Sequence, residues 1–327
     1  MFRFQFQRRK RAALAAGVVA LALIVTACGD EAAEPAATAT EAAPTATASV
    51  AAALPAFPLT VTDSSGASIV IEARPERIVS HSPAVTEILF AIGAGAQVVA
   101  VDDFSDYPEA AVALQQVRYS DPDPEQGVAL EPDLILFGGR QQGSVEAFRA
   151  LGLPVFLMEE AVTLEAVLDD IMLIGRISGH AAEAEVLVAE LRGRIDAIAA
   201  KVADVTEGPT VFFELSDGLY TVAPESFVGG MLTLLKARNI AEGATTAFPQ
   251  LTGEVVVERN PEVILLADAE FGASLESLRE RPGWAEIAAV QSGRVVPVDP
   301  DVTNRPGPRI VDGLELIAKA LYPDRFE

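Results

Sequence analysis

In the first third of the chain, the apolar positions change their spacing twice over a short distance. Residues 78–79 form a β-branched run, and residues 84–92 then carry apolar side chains three and four positions apart, as in a helix. The next apolar run, 98–101, is continuous, as in a parallel strand that is buried on both faces. We therefore predict a strand, a helix and a second strand. The loops that follow the strands, 80–82 and 102–107, lie where such units bind ligands.

Similar patterns continue to the carboxyl terminus. Alternating apolar and polar residues at 59–62 and 69–72 predict a hairpin. Further strands are predicted at 134–137, 155–158, 210–215, 263–266 and 295–298, and helices at 144–151, 163–177, 180–202, 227–237, 254–259, 275–290 and 313–321. Strands that alternate with helices predict an α/β fold with mostly parallel sheets.

The longest predicted helix, 180–202, would span roughly 33 Å at 1.5 Å per residue. Because it stands between two groups of strands, we predict two lobes of strand–helix repeats, joined by this long α-helix, with a ligand cleft between them. The N-terminal lobe is placed at 57–162, the connecting helical segment at 163–203 and the C-terminal lobe at 204–327.

The amino terminus has the order of an export signal. Residues 1–27 contain a basic segment, a short apolar segment and then small residues. Cys28, the only cysteine, follows directly and resembles the acylated cysteine of a bacterial lipobox, so we predict a lipoprotein signal peptide and lipidation at Cys28. The alternative is an uncleaved helical anchor with an incidental thiol. Residues 28–56, rich in Ala, Thr, Pro and Glu, predict a disordered linker.

The charge of the chain excludes one class of partner. Five of the 24 basic residues and none of the 47 acidic residues precede Cys28, which leaves 19 basic against 47 acidic side chains, a formal charge of −28. A surface this acidic repels phosphate backbones, so we expect no nucleic-acid partner.

Motifs for catalysis and for metal binding are missing from the sequence. His81 and His180 are the only histidines, too few for a histidine-rich zinc or manganese site, so we predict no metal site. The chain has no Gly-x-Ser-x-Gly motif, P-loop or dinucleotide fingerprint. We therefore expect no enzyme activity and no resident cofactor, with a carboxylate-based hydrolase left open as an alternative.

The stretch around Ser80-His81-Ser82 resembles the opening of the substrate-binding proteins of metal-chelate ABC importers, and the resemblance extends from about Pro58 to the end of the chain. That family takes up cobalamin, ferric siderophores and haem. The resemblance implies a monomeric, extracytoplasmic binding protein, held at the membrane by its lipid, that delivers a corrinoid or ferric siderophore to a permease dimer. Haem is the alternative ligand, and a secreted enzyme or a protein-binding sensor on the same scaffold is the alternative class.

Two glutamates stand at matching positions of the two lobes. Glu125 and Glu254 each begin a predicted short helix, seven positions before a proline that precedes a strand. The resemblance implies that they dock into arginine pockets of the permease. The alternative is a favourable charge at a helix N-terminus, worth a few tenths of a kcal/mol.

Aromatic side chains on loops are the main candidates for ligand contact, because they give a large apolar area at low entropy cost. They are Phe104, Tyr107, Tyr119, Tyr220 and Phe248. The resemblance implies pocket positions for all of them except Tyr107. The chain departs from the cobalamin-type pattern of that family, which has tryptophans where this chain has Tyr119 and Phe248.

Charged and titratable candidates complete the predicted site. The resemblance implies that Asp301 and Arg305 contact the polar edge of a ligand, whereas Arg309 is expected to form an ion pair at the start of the last helix. His81 is expected to pack beside its strand. The alternative is that His81 ligates haem iron or cobalt.

Overall fold

The computed structural model describes residues 57–326, apart from the side chain of Arg140. The predicted signal peptide at 1–27, the lipidation at Cys28 and the linker at 28–56 lie outside the described residues. Among the helices that are described, none has the length and apolar character needed to cross a membrane.

The first lobe is built on a five-stranded sheet in which all neighbours are parallel. Its strands in spatial order are Gln115–Val117, Val98–Asp102, Ile78–His81, Leu134–Phe137 and Val155–Leu157. The central strands are buried because helices cover both faces of the sheet. The edge strand Gln115–Val117, with only one buried residue, was not predicted, since it lacks an apolar run.

The other elements of the first lobe follow the predicted order, apart from the short helix Glu109–Val112, which was not predicted. The hairpin pairs Leu59–Thr62 with Ser68–Ile71 in antiparallel register. The helices are Pro83–Ala91, Glu109–Val112, Pro124–Ala129 and Gln142–Ala150. Gly93, at a φ of 82°, follows the first helix in the left-handed conformation that glycine adopts most readily.

The second lobe contains a four-stranded parallel sheet. Its strands in spatial order are Val295–Pro297, Val263–Leu266, Thr210–Glu214 and Arg238–Asn239. Its helices are Phe227–Leu234, Gly253–Arg259, Leu275–Glu280, Ala288–Ser292, Pro300–Thr303 and Ile310–Leu321.

Two predicted helices of the second lobe were too long. The helix predicted at 227–237 ends at Leu234, since Lys236 has a φ of 60° and the chain then enters an edge strand. The helix predicted at 275–290 is broken after Glu280, because Gly283 takes a φ of 80° and a short 3-10 turn follows at Trp284–Glu286.

Two helices connect the lobes and pack against each other. Leu164–Ser178 begins at Thr163, whose side chain accepts a hydrogen bond from the Ala166 amide, and ends at Gly179. Ala181–Lys201 is the longest described helix, with 21 residues. Together they join the inner faces of both sheets into one apolar core, which runs from Ile78 and Ile88 to residues of the last helix, such as Ile317.

Candidate functional site

Two adjoining cavities lie between the lobes, and we refer to them together as the cleft. The larger measures about 380 Å³ and is lined by Ser82, Pro83, Ala84, Phe104, Tyr119, Gly138, Glu160, Pro300, Asp301, Asn304, Arg305 and Pro306. The smaller, of about 280 Å³, shares Glu160, Asn304 and Pro306 with it and continues toward Phe227 and Phe248. Small-molecule sites typically occupy roughly 300–1,000 Å³. The cleft is therefore large enough to hold a small ligand.

Phe104 and Tyr119 form the aromatic wall of the first lobe. Their rings meet edge to face, with centroids 5.4 Å apart and planes 84° apart. The Tyr119 amide donates to the Asp103 carboxylate at 2.8 Å, which ties the two loops together. Phe104 remains 42% exposed, so part of its surface is available to a ligand.

A buried hydrogen-bond network fixes the loop that carries Phe104. The Asp102 carboxylate accepts from the Phe104 amide at 2.9 Å and from the Ser105 hydroxyl at 2.6 Å. The Ser105 and Thr86 hydroxyl oxygens lie 2.9 Å apart, and Thr86 donates to the Ser80 hydroxyl at 2.9 Å. Burial raises the pKa of Asp102 to about 6, although its hydrogen bonds with Ser105 and Phe104 oppose that shift.

Arg305 is the charged centre of the cleft, and three carboxylates surround it. It donates to Glu87 at 3.0 Å, to Asp106 at 2.8 Å and to Asp301 at 2.8 Å. Burial lowers the pKa of the Arg305 guanidinium, but its carboxylate partners outweigh burial and raise that pKa overall. Burial has the opposite effect on a carboxyl group: it raises the pKa of Asp301, although the neighbouring Arg305 guanidinium lowers that pKa.

Arg309 extends these ion pairs and separates Tyr107 from the cleft. It donates to Glu87 through two nitrogens, at 2.9 and 2.6 Å, and its guanidinium lies 4.0 Å above the Tyr107 ring. Tyr107 therefore lines a different cavity, of about 350 Å³, beside Leu187 and Leu191 of the long helix. The structure does not bring Tyr107 together with the other predicted ligand contacts. Arg309 forms the expected ion pair, and its partner belongs to the other lobe.

The aromatic residues of the second lobe divide between the cleft and its surroundings. Phe248 lines the smaller cavity and is 48% exposed. Tyr220 lines neither cavity, but its backbone bridges to Gln250, beside the Phe248 loop. Asp301, Arg305, Phe104, Tyr119 and Phe248 thus converge on one cleft, with Tyr220 on the loop next to it.

His81 faces the core of the first lobe. Its ring stacks on Phe137, with centroids 4.3 Å apart and planes 2° apart, and meets the edge of Phe148. Desolvation by burial lowers the pKa of His81 to about 4, so the ring is neutral at physiological pH. The structure therefore agrees with the expected packing role and places the imidazole outside the lining of the cleft.

Two acidic residues of this region were missed by the sequence reasoning. Glu87 lies on the helix Pro83–Ala91 within an apolar pattern, and an acid in that setting indicates a buried ion pair. Glu160 lines both cavities and had no distinguishing pattern around it. Its backbone packs so closely on Gly139 that a Cβ there would lie 2.6 Å from the Glu160 nitrogen.

Glu125 and Glu254 occupy equivalent sites on the surfaces of the two lobes. Both are exposed in the first turn of a short helix. The Asp123 carboxylate caps the first helix by accepting from the Glu125 amide at 2.9 Å, and the Thr252 hydroxyl caps the second by accepting from Val255 at 3.3 Å. The expected caps are therefore present in both lobes, and the docking role of the glutamates stays a prediction.

Within the described residues, no group of three or more His, Cys, Asp or Glu side chains is arranged to hold a metal ion. The described part of the cleft therefore offers aromatic faces, backbone turns and ion pairs. Apolar rings with a few fixed polar groups are typical of small-molecule binding sites.

Comparison with known proteins identifies the family. The family model described as periplasmic binding protein matches residues 78–302. An uncharacterized ABC transporter substrate-binding lipoprotein of Bacillus subtilis is 33% identical over 279 residues, which cover 83% of this chain and 88% of the relative. A cobalamin-binding protein of Halobacterium salinarum is 31% identical over 276 residues, 81% of this chain and 74% of the relative.

A solved structure adds support at the level of the fold. The periplasmic heme-binding protein RhuT from Roseiflexus sp. RS-1 in its apo form superposes with a TM-score of 0.69 at 27% identity, covering 77% of this chain and 99% of that one. The family match spans both lobes and the helices between them. The chain belongs to the periplasmic binding protein family.

Proposed function

We propose that the protein captures a metal chelate outside the cytoplasm, holds it noncovalently in the cleft and delivers it to an ABC importer. The observation that carries this proposal is the convergence of Phe104, Tyr119 and Phe248 from two lobes on one cleft. A flat macrocycle between facing lobes would bury its apolar faces on such rings. The family match and the named relatives support the same function.

The ligand we propose is a corrinoid such as cobalamin, followed by a ferric siderophore. The cobalamin-binding relative of Halobacterium salinarum supports this order. Haem is the third candidate, and the heme-binding protein of similar fold supports it. All three are flat or compact chelates that suit aromatic contact, so the shape of the cleft alone does not separate them.

A thermal-shift panel tests the proposal. Purified protein is heated with cobalamin, cobinamide, haem and several ferric siderophores. A ligand present at 100 times its dissociation constant should stabilise the fold by about 2.7 kcal/mol. The ligand should be recovered chemically unchanged after the protein is denatured. A converted product would instead support the enzyme alternative, and no shift with any chelate would contradict the proposal.

Aromatic variants connect any binding to the cleft. Phe104→Ala and Phe248→Ala should each raise the dissociation constant roughly tenfold or more, since covering one such ring contributes about 1.5–3 kcal/mol. Phe271→Ala is the matched control, because Phe271 is 65% exposed and lies outside the lining of both cavities. The dissociation constant of the Phe271→Ala variant for the ligand should stay within twofold of that of the unchanged protein.

We further propose that Glu125 and Glu254 dock the loaded protein onto a twofold permease. One exposed acid at the same helix position in each lobe suits a partner with two equivalent subunits. The variant with both glutamates changed to Ala should lose uptake in cells and keep its ligand affinity. Glu258→Ala, an exposed change near the other end of the second helix, serves as the control. Lost ligand affinity in the double variant would place the glutamates in the cleft instead.

The lipid anchor is proposed from the sequence around Cys28. Acylation of its thiol would hold the protein at the membrane through burial of the acyl chains. A Cys28→Ser variant should move from the membrane fraction to the supernatant. Retention of that variant at the membrane would favour an uncleaved helical anchor.

A further inference from the structure

The two lobes are joined in two places of different chemistry. The helices Leu164–Ser178 and Ala181–Lys201 join them through the shared apolar core. Beside the cleft, the loop 304–309 of the second lobe meets the helix Pro83–Ala91 of the first lobe through charged side chains. Single substitutions can therefore weaken the second connection while the apolar core stays intact.

Five charged residues form the connection beside the cleft. Glu87 accepts from Arg305 at 3.0 Å and from two nitrogens of Arg309 at 2.9 and 2.6 Å. Arg305 also donates to Asp106 and to Asp301, both at 2.8 Å. We call these five residues the interlobe network. Of its five hydrogen bonds, only the one to Asp301 stays within one lobe.

Glu87 depends on the other lobe for its neutralisation. It is buried among apolar residues of its helix, and both of its carboxylate oxygens accept from guanidinium groups of the second lobe. Separation of the lobes would remove both partners from this carboxylate, which is costly. Arg309 would also leave the Tyr107 ring, which lies 4.0 Å from its guanidinium. The interlobe network therefore favours the arrangement in which the lobes touch.

The backbones of the two lobes are close at the same place. Gly307 lies between the two arginines in sequence. A Cβ added to it would lie 3.3 Å from Oε2 of Glu87 and 3.6 Å from the Cα of Ala84. Because glycine has no side chain, the loop can approach the first helix closely enough for the ion pairs to form.

The interlobe network also separates two cavities. Arg305 lines the larger cavity of the cleft, whereas Glu87 and Arg309 line the cavity of about 350 Å³ beside Tyr107. Neither Glu87 nor Arg309 belongs to the lining of the cleft. A change at either residue therefore removes no side chain that lines the ligand site.

We infer that Glu87 and Arg309 are positioning residues that act on ligand binding from outside the cleft, because their ion pair holds the lobes at the separation seen in the structure and so preorganises the aromatic walls. This inference rests on the proposed function. If only the arrangement with touching lobes binds a chelate, the apparent dissociation constant is the intrinsic constant divided by the fraction of molecules in that arrangement. Loss of the ion pair lowers that fraction and weakens binding.

Distances between the lobes in the free protein test the first half of the inference. Spin labels are attached at Glu125→Cys and Glu254→Cys, which are exposed and lie one in each lobe. The full chain carries Cys28→Ser, so that no other thiol reacts. Pulsed electron paramagnetic resonance then measures the distribution of distances between the two labels.

Variants of the interlobe network should change this distribution. Glu87→Gln and Arg309→Gln should each broaden it and add a population with longer distances. Glu214→Gln is the matched control, since Glu214 is also a buried acid but is paired by Arg281 of its own lobe. The control should have the same distribution as the labelled parent.

Titration of the same substitutions in the unlabelled protein tests the second half. The probes are cobalamin, cobinamide, haem and the ferric siderophores of the thermal-shift panel. For each probe that the unchanged protein binds, Glu87→Gln and Arg309→Gln should raise the dissociation constant about three- to tenfold. Glu214→Gln should leave it unchanged within error. The double variant of Glu87 and Arg309 should bind about as weakly as the weaker single variant, because both changes break the same ion pair.

The outcomes separate this inference from the proposed function. If the unchanged protein binds none of the probes, the proposed function fails, and the role of Glu87 and Arg309 in binding fails with it. If the dissociation constant rises while the distances stay unchanged, the function stands but the two residues act only by orienting Arg305, and the inference is wrong. Longer distances with unchanged affinity also overturn it, since the separation of the lobes would then not control binding.

Discussion

Among the residues that the structure describes, each lobe buries one glutamate, and the two are neutralised in different ways. Glu214, at the end of the strand Thr210–Glu214, forms a bidentate pair with Arg281 of its own lobe at 2.6 and 2.8 Å. Glu87, on the first helix of the other lobe, is paired by Arg305 and Arg309 from across the cleft. The first pair holds one lobe together. The second pair joins the two lobes.

The difference shows what each charge contributes. A buried acid paired within its lobe stays neutralised in any arrangement of the lobes. A buried acid paired across the cleft stays neutralised only while the lobes keep their present contact. Since a buried charge without a partner is costly, the interlobe network favours one arrangement of the lobes beside the ligand site.

The largest effect should come from breaking the pair inside the second lobe. Arg281→Ala leaves the fully buried Glu214 without its partner, which typically costs about 3–5 kcal/mol. It also removes a cation that lies 4.5 Å above the Trp284 ring. Denaturant unfolding should show the loss as a lower free energy of unfolding.

The double variant Glu214→Gln with Arg281→Ala is the control, since it removes the charge together with its partner. It should recover a large part of the lost stability. If the double variant is as unstable as Arg281→Ala, lost packing rather than the unpaired charge of Glu214 explains the effect.

The next largest loss of stability should come from lowering the pH. This loss should act on the first lobe through His81, because the second lobe has no histidine. Burial lowers the pKa of His81 from 6.5 to about 4, so the unfolded chain binds more protons between these values. The free energy of unfolding should therefore fall as the pH falls from about 6.5 to about 4, by about 2–3 kcal/mol from this residue.

His81→Phe should remove that loss, since a phenyl ring can stack on Phe137 without titrating. The raised pKa of Asp102 has the opposite effect on stability, because a protonated carboxyl is favoured in the folded state; it is present in both proteins and cancels in the comparison. Unfolding curves of both proteins between pH 7 and pH 4 measure the difference. Parallel profiles would show that His81 is not the acid-sensitive group.

The smallest effect on global stability should come from Glu87→Gln. The change removes a buried charge and leaves Arg305 with Asp106 and Asp301, so we expect a loss of about 1–2 kcal/mol. The local effect should be clearer. Amide hydrogen exchange should become faster in residues 83–91 and 304–310, where the lobes meet. A loss as large as that of Arg281→Ala would remove the distinction between the two pairs.

Much of the fold could be predicted because local patterns determine it. Continuous apolar runs such as Leu134–Phe137 form buried parallel strands, and capping residues such as Asp123 and Thr252 begin their helices where expected. Prediction missed two edge strands, Gln115–Val117 and Arg238–Asn239, which pair without an apolar pattern. Edge strands are stabilised by hydrogen bonds to a neighbour that lies far away in sequence.

By itself, the sequence determined the order of the strands and helices, the long helix between two lobes and the loops that carry Phe104, Tyr119 and Phe248, because spacing and turn residues act locally. Only the tertiary structure decided which charges meet. It paired Arg305 and Arg309 with Glu87, more than 200 positions away, and thereby placed Tyr107 outside the cleft. Ion pairs depend on distances in space, and those distances are set when the lobes pack against each other.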